Sequence, residues 1–297
     1  MQIDISIVIP IFGTVHTERL FAVIDSLLLQ TNVSLEIIVS EQSIKDGLPL
    51  KKRFSSIVHI VSHVDKEGEY NAGVARNIGM KHANGEYVYF NDADIIFFDP
   101  TYLHRLLQAI KPNEILIRPR MWRMVMGEVP RFLHIYESKG LKVALSSVVY
   151  KENYLVSFPD STVQLELVEF HEKVFSATAQ QLQEYKINPT LHGQENLLWQ
   201  RIVHCGGIFG NKEAIESIGG YSSRYPVCVY EDSDLQWKLR SRFDIQEIHE
   251  DDLYAVMHLD HELPYRSMLK EDTNKKIFEQ RKIGGADLAI KQDLLVC

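Results

Sequence analysis

Tyr87-Val-Tyr-Phe-Asn-Asp-Ala-Asp-Ile-Ile-Phe-Phe98 decides how the rest of the chain is read. Tyr87 to Phe90 has the short apolar character of a strand buried on both faces. Asn91, Asp92, Ala93 and Asp94 follow, and Ile95 to Phe98 is apolar again. Carboxylates between two apolar runs are costly unless a cation compensates them. On extended backbone, residues i and i+2 point the same way. Asp92 and Asp94 are therefore expected to converge on one divalent cation, since hard cations take oxygen ligands. That is the chemistry of a metal-bound diphosphate. A polar turn at a strand end would give the same letters, so the flanking sequence has to decide.

Upstream, strands alternate with helices. Ile5 to Pro10 is rich in β-branched residues and reads as a strand, closed by a loop at Pro10-Ile-Phe-Gly13. Glu18 to Gln30 carries Leu20, Ile24, Leu27 and Leu28 at helical spacing, with Thr17 as N-cap. Leu35 to Ser40 and Val58 to Ser62 read as strands, and Glu69 to Ala83 as a helix stopped by Asn84-Gly85. After the central stretch come a helix, Thr101 to Ile110, and a strand, Glu114 to Arg118. Such alternation implies a mostly parallel sheet covered on both faces. In these sheets ligands bind at the carboxyl ends of strands, where Phe12, Glu41, Asp92 and Asp94 would line one crevice. The first strand is followed neither by Gly-x-Gly-x-x-Gly nor by a Walker-type lysine loop.

Composition narrows the class. Of 297 residues, 45% are hydrophobic and 24% charged, ordinary values for a soluble globular protein. A net charge of −8 gives no electrostatic reason to expect nucleic acid as a partner. Cys205, Cys228 and Cys297 lack metal-ligand spacing and fit a reducing, cytoplasmic compartment. No signal-peptide pattern opens the chain, and no apolar run approaches the ~18 residues of a membrane span. Peripheral contact with the cytoplasmic face of a membrane stays compatible with this.

Between about Pro119 and Trp199 the alternation stops, and this stretch reads as an insertion able to shape an acceptor pocket. Tyr154 to Phe158 resembles a short strand, and Val163 to Gln183 is expected to be helical. Lys212 to Ile218 reads as a short helix ended by Gly219-Gly220. Glu231, Asp232 and Asp234 open a further helix, where acidic residues complement the helix dipole; a general base beside a diphosphate is the functional reading. Leu253 to Leu259 is strand-like and leads into His258-Leu-Asp-His261. The domain expected is 1–261, in two halves, 1–118 and 119–261. The tail, 262–297, is expected to be helical. Trp122, Trp199 and Tyr221 are candidates for stacking on a ligand ring, or for the core.

Taken in order, Ile5-Ser-Ile-Val-Ile-Pro10, Ala72-Gly-Val-Ala-Arg-Asn-Ile-Gly79, Asn91-Asp-Ala-Asp94, Gly206-Gly207 and Glu231-Asp232 resemble the family 2 glycosyltransferases of the GT-A fold. The series from Gly206 to Leu235 is also similar to the C-terminal half of galactosyl- and N-acetylgalactosaminyltransferases. The resemblance implies an α/β fold with a Rossmann-like sheet and a DXD motif at Asp92 to Asp94. It implies that Pro10, Ile11 and Phe12 contact the nucleoside, with Glu41 where the family often has a uracil-reading aspartate. Arg76 would lie near the base or diphosphate, Asp92 would face ribose and metal, and Gly207 would belong to the donor site. Asp92, Asp94 and His258 would hold Mn²⁺ or Mg²⁺, an imidazole ligand favouring Mn²⁺. Asp232 would be the base, with Glu231 gripping sugar or acceptor.

The expected reaction is transfer of a sugar, galactose or N-acetylgalactosamine, from a UDP-sugar to an acceptor hydroxyl with inversion. Two alternatives stay open. A sugar-1-phosphate nucleotidyltransferase would need a glycine- and arginine-rich loop, and Pro10 to His16 has one glycine and no arginine. A non-catalytic nucleotide-sugar-binding protein would have little use for intact acidic pairs.

Overall fold

A computed structural model describes residues 2–13, 17–43, 54, 58–64, 70–124, 129–147, 151–157, 164–169, 174–177, 203–226, 229–249, 251–261 and 268–296. Tyr87–Phe90 forms strand β4 beside β1, Ile5–Phe12, in parallel register from Ile5↔Tyr87 to Val8↔Phe90. On the other side β1 pairs in parallel with β2, Leu35–Ser43, and β2 with β3, Val58–Val64. The alternation of β1 divides the interior. Ile5, Ile7, Ile9 and Ile11 enter one core, whereas Val8 enters a second core on the opposite face. Each fully buried Ile or Leu in these cores stabilises by roughly 1.5–3 kcal/mol.

Helix α1, Thr17–Leu28, buries Leu20, Val23, Ile24 and Leu27 in the first core, the spacing of one helical face. Helix α2, Ala72–Lys81, covers the opposite face. The Asn71 side chain caps it by accepting from Val74 N at 2.9 Å. Gly79 lets α2 approach closely: a Cβ there would stand 2.5 Å from Val8 Cγ1 and 3.3 Å from Ser40 Cβ.

The sheet is completed by β6, Glu114–Ile117, β11, Ile208–Asn211, and β12, Asp244–Glu247, in the order β12-β6-β11-β4-β1-β2-β3. Only β11 is antiparallel to its neighbours. The order reverses at β1, whose successors β2 and β3 lie to one side and β4 to the other. A crevice is expected at the carboxyl ends of strands flanking such a switch point, and Phe12 and Asn91 to Asp94 stand there. A second sheet has the order β10-β9-β8-β7-β13-β5. It contains β5, Ile95–Ile96, β7, Arg120–Met124, β8, Lys151–Ser157, β9, Gln164–Glu169, β10, Val174–Ala177, and β13, Ala255–Leu259. Further helices among the described residues are α3, Tyr102–Ala109, α4, Val129–Lys139, α5, Leu141–Ser147, α6, Lys212–Ser217, α7, Glu231–Arg240, α8, Met268–Gly284, and α9, Ala286–Leu294. Among the described residues no helix is long and apolar enough to cross a membrane.

Three expectations are corrected. Within the expected helix 163–183, residues 164–169 and 174–177 are strand: β9 and β10 form an antiparallel pair, Val174↔Val168 to Ala177↔Leu165. Gln164-Leu-Glu-Leu-Val-Glu169 has the two-residue alternation of a strand, which outweighs its helix-favouring residues; residues 163, 170–173 and 178–183 lie outside the described residues. Pro10 to Phe12 is strand rather than loop. Pairing with β4 ends at Val8, so Pro10, which lacks an N–H, sits where β1 keeps one neighbour only. Finally, the strand expected from Leu253 begins at Ala255, after a 3₁₀ turn at Asp252–Tyr254.

Candidate active site

Arg76 is the hub of the crevice. Its place in the middle of α2 carries the guanidinium under the end of β4, where only 3% of the side chain is exposed. Nη2 donates to Asp92 Oδ1 at 2.6 Å. Nη1 lies 3.3 Å from Asp232 Oδ1 and 3.6 Å from Glu231 Oε1. The guanidinium carbon stands 5.0 Å over the Tyr221 ring, and the Tyr221 hydroxyl donates to Asp232 Oδ1 at 3.1 Å. Burial opposes a charged guanidinium, yet Tyr221 and the three carboxylates outweigh it and hold Arg76 well above its ordinary pKa. Asn77, one position on, fastens Tyr221 by donating to its carbonyl and accepting from its N–H, each at 2.8 Å.

The three carboxylates are not equivalent. Burial would raise Asp92, but Arg76 and then His204 hold it at about 2. Burial, reinforced by Asp232, pushes Glu231 up to about 8, which favours its protonated form. Asp232 is the more open member of its pair, with 20% of its side chain exposed against 6% for Glu231. Both follow Tyr230, whose φ of 74° is left-handed, a region that costs a non-glycine residue roughly 1–2 kcal/mol.

Asp92 and Asp94 part company, against the expectation that they converge. The chain turns between β4 and β5 instead of staying extended. The second oxygen of Asp92 meets His204 Nε2 at 2.9 Å. Asp94 faces the second sheet, where its carbonyl accepts from Leu259 N at 2.9 Å. Its Oδ2 lies 2.7 Å from His261 Nε2 and 3.6 Å from His258 Nε2. Asp94, His258 and His261 each offer a ligand atom, all within 4.8 Å of one another. Burial opposes ionisation of Asp94, but His258 and then His261 hold its pKa well below the usual carboxylate range. Asp94 Oδ1 is buried with no hydrogen-bond partner among the described residues. An orphaned carboxylate oxygen beside two imidazoles fits a divalent cation, and a mixed nitrogen and oxygen set suits Mn²⁺ better than Mg²⁺.

The other expected residues fall as follows. Pro10 and Ile11 are buried in β1, whereas Phe12 is half-buried and its ring lies 5.4 Å from that of Tyr70. Glu41 is buried in β2 and accepts from Ser62 Oγ at 2.7 Å. Gly207 packs behind the site: a Cβ there would stand 2.6 Å from Pro119 Cδ and 2.8 Å from His204 Nδ1. It is Gly206 that touches the cluster, since its Cβ would stand 3.0 Å from Arg76 Nη2 and 3.1 Å from Asp92 Oδ2. Tyr221 is buried edge-on to Phe90, and Trp122 stacks on Phe98 at 4.9 Å, so neither stands free as a stacking platform. Trp199 lies outside the described residues. His204, His261 and Tyr221 complete the site without being singled out for these contacts. His261 was legible, because it closes His258-Leu-Asp-His261 three residues after the strand-end histidine.

Comparison with known proteins follows this geometry. Residues 6–151 match the family model of Glycosyl transferase family 2. The poly(ribitol-phosphate) beta-N-acetylglucosaminyltransferase TarP of Staphylococcus aureus is 28% identical over 185 residues, 59% of this chain and 54% of that protein. Glycosyltransferase GlyA of Streptococcus pneumoniae is 31% identical over 109 residues, 36% of this chain and 15% of that protein. The chain thus spans about half or less of the length of these relatives. Among solved structures, S. aureus TarS 1-349 in complex with UDP superposes with a TM-score of 0.53 at 13% identity, covering 98% of this chain and 70% of that one. A second S. aureus TarS structure gives 0.53 at 14% identity, with 98% and 41% covered. The chain has the GT-A fold, and nearly half of it, residues 6–151, carries the sequence pattern of glycosyl transferase family 2.

Proposed function

We propose that this protein is an inverting, metal-dependent glycosyltransferase that moves a sugar from a UDP-sugar to an acceptor hydroxyl, with Asp232 as the general base. One observation carries the reading: Arg76 joins Asp92, at the end of β4, to Asp232, at the start of α7, beside an Asp94–His258–His261 set suited to a cation. The UDP complex of TarS lends support to uridine diphosphate as the nucleotide.

Asp94, His258 and His261 would hold the cation, which when bound supplies Lewis-acid stabilisation of charge on a departing diphosphate. Asp92 would accept from the ribose, and Phe12 and Glu41 would border the nucleoside. Asp232 would take the acceptor proton at Oδ2, the oxygen that Arg76 and Tyr221 do not hold, as the hydroxyl attacks the anomeric carbon. Arg76 and Tyr221 hold that carboxylate in place. Glu231, neutral and buried, would donate a hydrogen bond to sugar or acceptor rather than compete for the proton. A single in-line displacement inverts the anomeric centre, and no second nucleophile is called for.

Thermal unfolding with UDP, GDP or dTDP, each with Mn²⁺ or with EDTA, tests the donor site. Ligand at ~100 times its dissociation constant adds about 2.7 kcal/mol, so a melting rise specific to UDP with Mn²⁺ is expected. UDP-galactose, UDP-N-acetylgalactosamine and UDP-N-acetylglucosamine, the last prompted by TarP, then form the turnover panel. Asp232→Asn should abolish turnover and keep UDP binding; turnover by that variant would remove Asp232 as the base.

A further inference from the structure

Helix α8 lies along the turn that delivers Glu231 and Asp232. Asn274 Nδ2 donates to the carbonyl of Val229 at 2.7 Å. The Phe278 ring lies 5.7 Å from that of Tyr230 and 6.2 Å from that of Trp237. Arg281 donates through Nε to Asp234 Oδ1 at 2.6 Å and through Nη2 to Oδ2 at 3.0 Å. Positions 274, 278 and 281 form one stripe, i, i+4 and i+7, of the helix.

Tyr230 is what this stripe confronts. Its left-handed backbone is not one that an aromatic L-residue holds by its own preference, and its side chain does not cap α7. The conformation persists only where surroundings over-determine it. Behind the turn, Arg281 also donates to Asp293 Oδ2 at 2.6 Å, and Lys238 Nζ donates to the same oxygen at 2.5 Å. Lys238 further donates to the carbonyls of Gly220 and Ile218, and the Tyr225 hydroxyl donates to Asp234. Two cations thus face two carboxylates inside the protein, and α7 is tied to both α8 and α9. Apolar packing would stabilise as well as such a cluster, but directional bonds fix the register of one helix against another.

We propose that α8, through Asn274, Phe278 and Arg281, is a positioning element that holds Tyr230 in its left-handed turn and so sets where the Asp232 carboxylate stands. This rests on the reading of Asp232 as the base. None of the three residues needs to touch the substrate.

The test compares Asn274→Ala, Phe278→Ala and the double variant Phe278→Ala/Tyr230→Gly, because glycine enters the left-handed region without strain. The readouts are turnover of the UDP-sugar used by the wild type, UDP affinity with Mn²⁺, and crystal structures. Phe278→Ala is expected to lower kcat about tenfold with donor KM and UDP affinity changed less than twofold, and the added Tyr230→Gly to restore most of the loss. A kcat within twofold of wild type in Phe278→Ala overturns the inference, as does a loss that Tyr230→Gly leaves unrestored. Should Phe278→Ala fail to fold, Phe278→Leu keeps the volume without the ring and is judged in the same way. Asp232→Asn is measured alongside. If it still turns over, the base reading falls, and the crystal structure of Phe278→Ala decides the positioning inference alone: Tyr230 leaving positive φ and Asp232 parting from Arg76 supports it, and unchanged geometry overturns it.

Discussion

Arg76 Nη2, on helix α2, lies 2.6 Å from Oδ1 of Asp92 at the end of strand β4. The same guanidinium faces Asp232 at 3.3 Å and Glu231 at 3.6 Å. Removing it while keeping bulk, as in Arg76→Met, leaves acidic groups facing one another in a buried place. Breaking a buried pair in this way costs about 3–5 kcal/mol, and urea unfolding at neutral pH should register a loss of that size. A loss below about 1 kcal/mol would mean that proton uptake by the carboxyls replaces the guanidinium.

The separation of Asp92 from Asp94 makes the two aspartates distinguishable. Asp94→Ala and His261→Ala should each weaken Mn²⁺ binding by roughly tenfold or more, the low end of what disturbing a metal site costs. His204→Ala, which touches Asp92 and not the histidine pair, should leave Mn²⁺ affinity within about threefold on the same scale. Mn²⁺ titration by calorimetry or electron paramagnetic resonance reads both. Equal losses in all three variants would mean that Asp92 shares the ion.

Glu231 gives stability a particular pH dependence. In the unfolded chain a glutamate ionises near ~4.3, whereas in the folded protein burial and then Asp232 push Glu231 up to about 8. Between these values the folded state keeps a proton that the unfolded state has lost, so stability falls as pH rises. The slope from this group is at most about 1.4 kcal/mol per pH unit and flattens above its folded value. Asp92 acts oppositely: its pKa is depressed to about 2, so its contribution is lost only as acid approaches that value, outside this window. Urea unfolding at pH 6, 7 and 8 should therefore show a steeper decline for wild type than for Glu231→Gln. Parallel lines would place the proton elsewhere.

Gly207 is a packing requirement. Its missing Cβ makes room for the Pro119 ring and for His204, and its carbonyl accepts from Arg118 N at 2.9 Å. Gly207→Ala should cost about 1–3 kcal/mol, the range for overpacking, with a lowered melting temperature. UDP affinity at a temperature where the variant is folded should change little. A stable variant that no longer binds UDP would instead put Gly207 in direct contact with the donor.

Much of the first half was legible because its periodicities are unmixed. Ile5-Ser-Ile-Val-Ile and Leu35-Glu-Ile-Ile-Val are apolar with β-branching, and Leu20, Ile24 and Leu27 repeat at helical spacing. Residues 163–183 misled because Gln, Leu and Glu favour helices locally, while the two-residue alternation that places them in β9 is short. In the site, Asp94, Glu231, Asp232 and His258 could be singled out because polar residues at the ends of apolar runs stand out, whereas Arg76 came only from the resemblance of Ala72 to Gly79 to family 2 glycosyltransferases. Their grouping could not. The i, i+2 argument for Asp92 and Asp94 assumed extended backbone, and the turn after Phe90 sends each to a different sheet. His204, joined to Asp92 across 112 positions, has no local signal at all.

The Asp94–His258–His261 set draws one donor from the first third of the sequence and two from well beyond its middle, with Asp94 and His261 separated by 167 positions. During synthesis at about 5–20 residues per second, His261 follows Asp94 by roughly ten to thirty seconds. For that interval the nascent polypeptide carries the aspartate without its imidazoles, and β13, which aligns them, has not been made. On the proposed reading, capture of the ion would be deferred until the second sheet closes, so a ribosome-bound first half should emerge unable to retain Mn²⁺.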